Sequence, residues 1–199
     1  KALREHELPS RFTMFIPAGD GKGFKVLVPD VGVTYRLLEQ WNGEGKGALP
    51  LLENIRKNET VASILNNREL REYNQGLQEK EIEASIGMMK QAIGITETEI
   101  IRIPALFEKL GEYAGALIPN MVNSVYMRGS QLISDPRGPV EQGKDLLQEY
   151  VRELLKKEKI EVYFLDDLPY HKWGGNVHCA TNVTREFYSA PWWHDNSFL

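Results

Sequence analysis

The feature that most constrains this chain is the shortness and punctuation of its β-forming runs. Residues 12–17 (FTMFIP) and 24–29 (FKVLVP) are β-branched and aromatic and each ends in proline. Between them lies Ala-Gly-Asp-Gly-Lys-Gly, whose glycines supply the positive φ of a tight reversal, so the pattern predicts a β-hairpin. A helix follows directly: Asp30 is placed to cap it, Val33, Leu37 and Leu38 face inward, and Asn42-Gly43 ends it. Gly43, Gly45 and Gly47 then alternate with polar residues. A phosphate-cradling loop needs four residues between its first glycine and a Gly-Lys-Ser/Thr, so this stretch reads as a mobile surface loop.

Residues 68–93 contain no proline and repeat apolar residues at Leu70, Tyr73 and Leu77, then at Ile82, Ile86, Met89 and Ile93. That spacing predicts a long helix whose buried stripe shifts partway, with Gly76 and Gly87 as bending points. Residues 100–103 alternate as a buried strand closed by Pro104, and 105–110 read as a helical turn or two. Residues 124–127 and 131–134 predict a second hairpin, 143–157 an amphipathic helix with Leu147, Tyr150, Val151 and Leu154 inward, and 161–165 a strand. The order strand, strand, helix thus recurs, which predicts an α/β fold assembled from small units of short strands and one helix each.

The 199 residues fit one domain, 1–199, with no low-complexity linker to divide it. A formal charge of -4 argues against a sequence-independent grip on nucleic acid and against binding to anionic membranes, both of which call for a basic face. No apolar run approaches the ~20 residues of a membrane span. One cysteine cannot form an internal disulfide, which points to a reducing, cytoplasmic setting. The chain opens on Lys1 rather than Met, which reads as a processed or truncated product.

The densest cluster of chemically unusual residues is Tyr170-His171-Lys172-Trp173-Gly174-Gly175-Asn176-Val177-His178-Cys179-Ala180-Thr181-Asn182. Its two glycines allow a sharp turn, or close approach to a ligand, before the single thiol is presented beside an imidazole. A lone cysteine is commonly a small buried hydrophobe, and in an extended segment His178 would point away from Cys179. Spacing alone therefore leaves the role of Cys179 open.

The wording of this segment adds to the reading. Gly-Asn-Val-His-Cys-Ala-Thr-Asn closely resembles the nucleophile segment of the guanidine-modifying enzymes, and among them the protein-arginine deiminases match best. Further segments resemble the C-terminal half of that family's catalytic domain. They are Gly-Phe-Lys-Val-Leu-Val from Gly23, Asn-Arg-Glu-Leu-Arg-Glu-Tyr-Asn from Asn67, Ile-Pro-Asn-Met-Val-Asn from Ile118, Gly138-Pro139-Val140 and the closing Trp192-Trp193.

The resemblance implies a partial five-bladed α/β propeller of the pentein type, here about two blades. It also implies calcium dependence and protein substrates with exposed arginine, and it allows a homodimer. Cys179 matches the nucleophile. In such enzymes a thiolate attacks the guanidinium carbon, paired carboxylates orient the planar cation, and a histidine delivers the proton with which ammonia leaves.

The other parts depart from the pattern. In register, the family's His-x-Asp falls on Leu8 and Ser10, neither of which does acid chemistry, and His6 would require a two-residue slip. Residues 1–11 thus leave the family pattern abruptly. The first catalytic carboxylate and most calcium and substrate contacts are expected upstream of Lys1, so these 199 residues by themselves are expected to be inactive. Ala180 stands where the family usually has glycine, and Trp173-Gly174 where many members have basic or His residues. His171, His178 and Trp192-Trp193 read as structural, and Asp166-Asp167 as a solvated turn after a strand. Two alternatives remain: another guanidine hydrolase such as agmatine deiminase, or a non-catalytic protein that binds arginine-rich partners.

Overall fold

The computed structural model describes residues 13–182. Strands β1 (Met14–Pro17) and β2 (Phe24–Asp30) pair antiparallel, with Phe15 opposite Val26. Asp30 ends β2 and opens α1 (Val31–Trp41): its Oδ1 accepts from the Val33 N–H at 2.7 Å, satisfying one of the donors that a helix start leaves unpaired. The chain then runs through α2 (Val61–Asn66), α3 (Arg68–Leu77) and α4 (Glu83–Ile93) and returns as β3 (Ile100–Pro104), parallel to β2. Parallel neighbours cannot be joined by a tight turn, so this crossover is obligatory. With a partner on each side, β2 buries Val26, Leu27 and Val28 on both of its faces.

Three details differ from the expectations above. The segment at Gly43 lies at the surface as expected, but it begins as a continuation of α1: a π-type turn over Asn42–Lys46 kinks at Gly45, whose φ is 82°, and the Lys46 ammonium lies 2.8 Å from Glu44 and 2.9 Å from Glu141. The long helix is not continuous, and the shift of its stripe has a local cause: a second π-turn, Gln78–Ile82, in which the Glu83 N–H donates to the Gln78 carbonyl five residues back. The extra residue accounts for the spacing of five between Leu77 and Ile82, and beyond it Ile86 is buried while Ile93 ends up exposed.

The third difference is that residues expected to be helical form strand β4 (Phe107–Leu110), paired antiparallel with β5 (Tyr113–Ala116). A distant side chain decides this. Asn74 on α3 is fully buried, donates to the Phe107 carbonyl at 2.8 Å and accepts from the Phe107 N–H at 2.8 Å, occupying the backbone groups a helix would need.

The second unit repeats the topology of the first. Strands β6 (Val125–Met127) and β7 (Ser130–Ser134) form a hairpin, and the small ribbon β8 (Val140–Glu141) and β9 (Lys144–Asp145) follows. Helix α5 (Leu146–Lys156), capped by Asp145, leads to β10 (Glu161–Leu165), which lies parallel to β7. The sheet orders are β1-β2-β3 and β6-β7-β10. Helix α5 buries Leu147, Val151 and Leu155 completely, and the apolar cluster they join also contains Ile16, Leu27 and Leu38 of the first unit. The architecture is therefore mixed α/β, with small sheets around one continuous core. Among the described residues no helix is long and apolar enough to cross a membrane.

The units meet at Gly19, in the β1–β2 turn, whose N–H donates to Glu158 Oε2 at 3.0 Å. A Cβ at this position would stand 2.7 Å from the Glu158 backbone, closer than atoms pack. Gly19→Ala is therefore expected to lower the stability of the chain by about 1–3 kcal/mol in urea unfolding, although alanine loses less backbone entropy on folding. An unchanged or raised unfolding midpoint would show that the turn does not dock as described.

Candidate active site

The site forms where β10 ends. Two carboxylates follow the strand, and they behave differently. Asp166 is exposed, as expected for a solvated turn, and pairs with Arg137, whose guanidinium holds its carboxyl below the usual range. Asp167 is only 7% exposed, which corrects the solvated reading: its Oδ2 accepts from Ser134 Oγ at 2.7 Å and from Asn176 Nδ2 at 3.2 Å. A buried carboxylate must be compensated in this way, because desolvating it without donors costs several kcal/mol.

Asn176 passes the connection onward. Its Oδ1 accepts from the Asn120 N–H at 3.1 Å, and Asn120 Oδ1 in turn accepts from the Val122 N–H at 3.0 Å, which shapes the loop at residues 118–123. Ile118, Met121 and Val122 bury their side chains and anchor that loop in the core.

The chain reaches Asn176 through α6 (Leu168–His171) and a tight reversal. The Trp173 and Gly175 N–H groups both donate to the Tyr170 carbonyl at 3.0 Å, and Gly174 takes φ +80°. That backbone favours glycine. Gly175 is confined for a different reason: a Cβ there would stand 3.2 Å from the Cβ of Cys179, a tight contact that the turn would have to give way to by a few tenths of an ångström. The segment at His178 is not extended, as expected above, but forms a 3₁₀ turn, His178–Ala180, stapled by the Ala180 N–H to the Asn176 and Val177 carbonyls. The turn lifts Cys179 into solvent as a free thiol. Ala180 is exposed, so the methyl in place of the family's glycine has room.

Asn123 grips this turn at three points. Its carbonyl accepts from the His178 N–H at 3.2 Å, its Oδ1 accepts from the Cys179 N–H at 3.2 Å, and its Nδ2 donates to Cys179 Sγ at 3.0 Å. Among the described residues, Asn123 is the hydrogen-bond partner of the sulfur. The arrangement presents a sulfur nucleophile on a fixed turn, open to solvent on one side and held by an amide donor on the other. Trp173, 93% exposed, and Tyr170 stand out from the reversal just before it.

Of the residues singled out from sequence, Cys179 is thus placed on a built turn, His178 is exposed beside it, and His171 at the end of α6 is half-buried. Leu8, Ser10, His6, Trp192 and Trp193 lie outside the described residues. The sequence reading missed Asn123, Asn176 and Asp167 as parts of the site. The available signal was the pair of asparagines in Pro-Asn-Met-Val-Asn, polar residues within an otherwise apolar stretch. Among the described residues no three His, Cys, Asp or Glu side chains converge so as to hold a metal ion.

Comparison with known proteins bears on what this turn is for. The family model described as "Protein-arginine deiminase (PAD)" matches residues 10–194. Protein-arginine deiminase type-3 of Mus musculus is 38% identical over 189 residues, type-4 of Homo sapiens 38% identical over 188, and type-1 of Homo sapiens 32% identical over 186. Each alignment covers 92% of this chain and 28% of the relative, so the chain spans a little over a quarter of the length of the proteins it matches.

Burial pushes the imidazole of His171 below its ordinary value, against the opposing charges of Asp167 and Glu108 and a hydrogen bond with Asn176. A histidine whose folded value is lowered gives up its proton more readily folded than unfolded. Its contribution is then intact above the ordinary histidine value, declines as pH falls through it, and is lost below the lowered folded value. Urea midpoints followed from about pH 7 to about pH 5 are expected to fall more steeply for the natural chain than for His171→Gln. Parallel curves would contradict the assigned burial.

Proposed function

Because the chain belongs to the protein-arginine deiminase family, we propose that it supplies the nucleophile-bearing part of a hydrolase acting on the C–N bond of an amidine, converting peptidyl arginine to peptidyl citrulline and ammonia. The observation that carries the reading is the family's His-Cys-x-Thr-Asn wording falling on a solvent-facing turn, with Cys179 Sγ already held by an amide donor. In this reading the Cys179 thiolate adds to the guanidinium carbon, a proton is delivered to one nitrogen, and ammonia leaves from a tetrahedral centre to give a thiouronium. Water then adds to the same carbon and citrulline departs as the C–S bond breaks and the thiolate returns.

The relatives' names favour deimination of protein arginine over the agmatine alternative. The twice-repeated unit of a hairpin, a crossover helix and a parallel third strand supports the partial propeller. Substrates in this reading are proteins with exposed arginine in a cytoplasmic setting, without nucleic acid or membrane, and a homodimer is compatible with it. Calcium belongs to the reading through the family, at ligands expected outside the described residues.

The proposal is tested by comparing two alkylating agents of similar size. In any longer protein that carries this segment, Cys179 is expected to react at least tenfold faster with a haloacetamidine, whose amidinium mimics the guanidinium, than with neutral iodoacetamide, since charge-assisted pairing of the planar cation contributes about 1.5–3 kcal/mol. Equal rates would show that no guanidinium pocket faces the thiol and would favour the non-catalytic alternative.

A further inference from the structure

We propose that Asn123 is a positioning residue for Cys179, whose side-chain amide fixes the direction in which Sγ meets an incoming carbon. The inference rests on the reading of Cys179 as the nucleophile and adds to it a group that acts through the sulfur.

The orientation of the amide is forced. Asn123 Oδ1 accepts from the Cys179 N–H at 3.2 Å, and a flipped amide would set its NH₂ against that N–H, donor against donor. With the oxygen thus committed to the backbone, Nδ2 faces Sγ at 3.0 Å as a fixed donor. A sulfur anion accepts a hydrogen bond more strongly than a neutral thiol does, so the contact tightens when the sulfur attacks as thiolate.

The donor is rigidly mounted. The Asn123 N–H donates to the Asn120 carbonyl at 3.0 Å and the Asn123 carbonyl takes the His178 N–H, so the backbone around the amide is tied on both sides. Met121 and Val122, just before it, are buried in the structure's interior. The cysteine itself is exposed, so an incoming carbon can reach the sulfur while the amide stays in place. The same donor would also stabilise the sulfur when it leaves as thiolate at the end of the reaction, so it would assist both attack and release.

Asn123→Asp separates this role from a merely structural one. Aspartate has the same shape and keeps an oxygen for the Cys179 N–H, but it replaces the donor facing sulfur with a carboxylate oxygen. Because Cys179 is the single cysteine of the chain, its reaction with iodoacetamide and the ultraviolet absorbance of its thiolate can be read without ambiguity. At neutral pH, Asn123→Asp is expected to slow alkylation about tenfold or more, and Asn123→Leu, which removes the donor without adding a charge, to slow it in the same direction, with circular dichroism unchanged in both. A folded Asn123→Asp protein alkylated at the natural rate would overturn the proposal.

A second measurement on the unaltered protein does not depend on the variant folding. The side-chain amide proton resonances of Asn123 are expected to move in step with thiolate absorbance as the thiol is titrated, and resonances that stay fixed would equally overturn the proposal. Both readouts use a neutral reagent or none, so they are independent of whether a guanidinium pocket faces the thiol. Loss of the amidine preference with a normal Asn123 effect would remove the deiminase reading alone.

Discussion

The rest of the structure depends on the parallel pairing of the third strand in each sheet. A hairpin of short strands is marginal alone, and here each hairpin is completed by a strand running parallel to its second member, β3 beside β2 and β10 beside β7. That pairing obliges the chain to cross back over the sheet through helices, and the crossings bury the apolar faces of α1 and α5. It also brings the ends of β7 and β10 side by side, with Ser134 opposite Leu165. The carboxylate that follows β10 therefore lies within reach of the serine that ends β7.

From that point a polar chain of contacts runs from the buried Asp167 outward to the surface. Ser134 and Asn176 satisfy Asp167, Asn176 holds Asn120, Asn120 shapes the loop that carries Asn123, and Asn123 holds the Cys179 turn. Every link is a hydrogen bond of 2.7 to 3.2 Å. Buried polar groups of this kind are costly when left half-satisfied, and the same cost makes a completed set specific: few other arrangements of the reversal would pair all of them. The reactive turn sits at the surface, but its geometry is set by groups in the interior.

What could be read from the sequence was what local chemistry decides. The hairpin at residues 12–29, the cap at Asp30, the second hairpin and the helix before β10 all carry their signals within a few residues. The shifted stripe of the long helix was legible as well, since a step of five from Leu77 to Ile82 is the mark of an inserted residue. What could not be read was decided at long range. Strand β4 owes its form to Asn74, thirty-three residues away, and nothing in the segment itself announces that partner. Asp167 looked like its neighbour Asp166, and only burial by the end of β7 distinguishes the two. Cys179 was identified through the family's wording, whereas Asn123 emerges only when its loop is folded against the turn, fifty-six residues from the cysteine it holds.

The central claim is that the turn bearing Cys179 is held from within, through Asp167. Amide hydrogen exchange in an Asp167→Ala variant tests it most directly. The account predicts that the N–H groups of His178 and Cys179, both bonded to Asn123, lose protection in the variant, while the Ile133 N–H on β7 keeps the protection it has in the natural chain. Unchanged protection at Cys179 in a folded Asp167→Ala chain would contradict it, because the turn would then be held by something other than the buried carboxylate and the asparagines it orients.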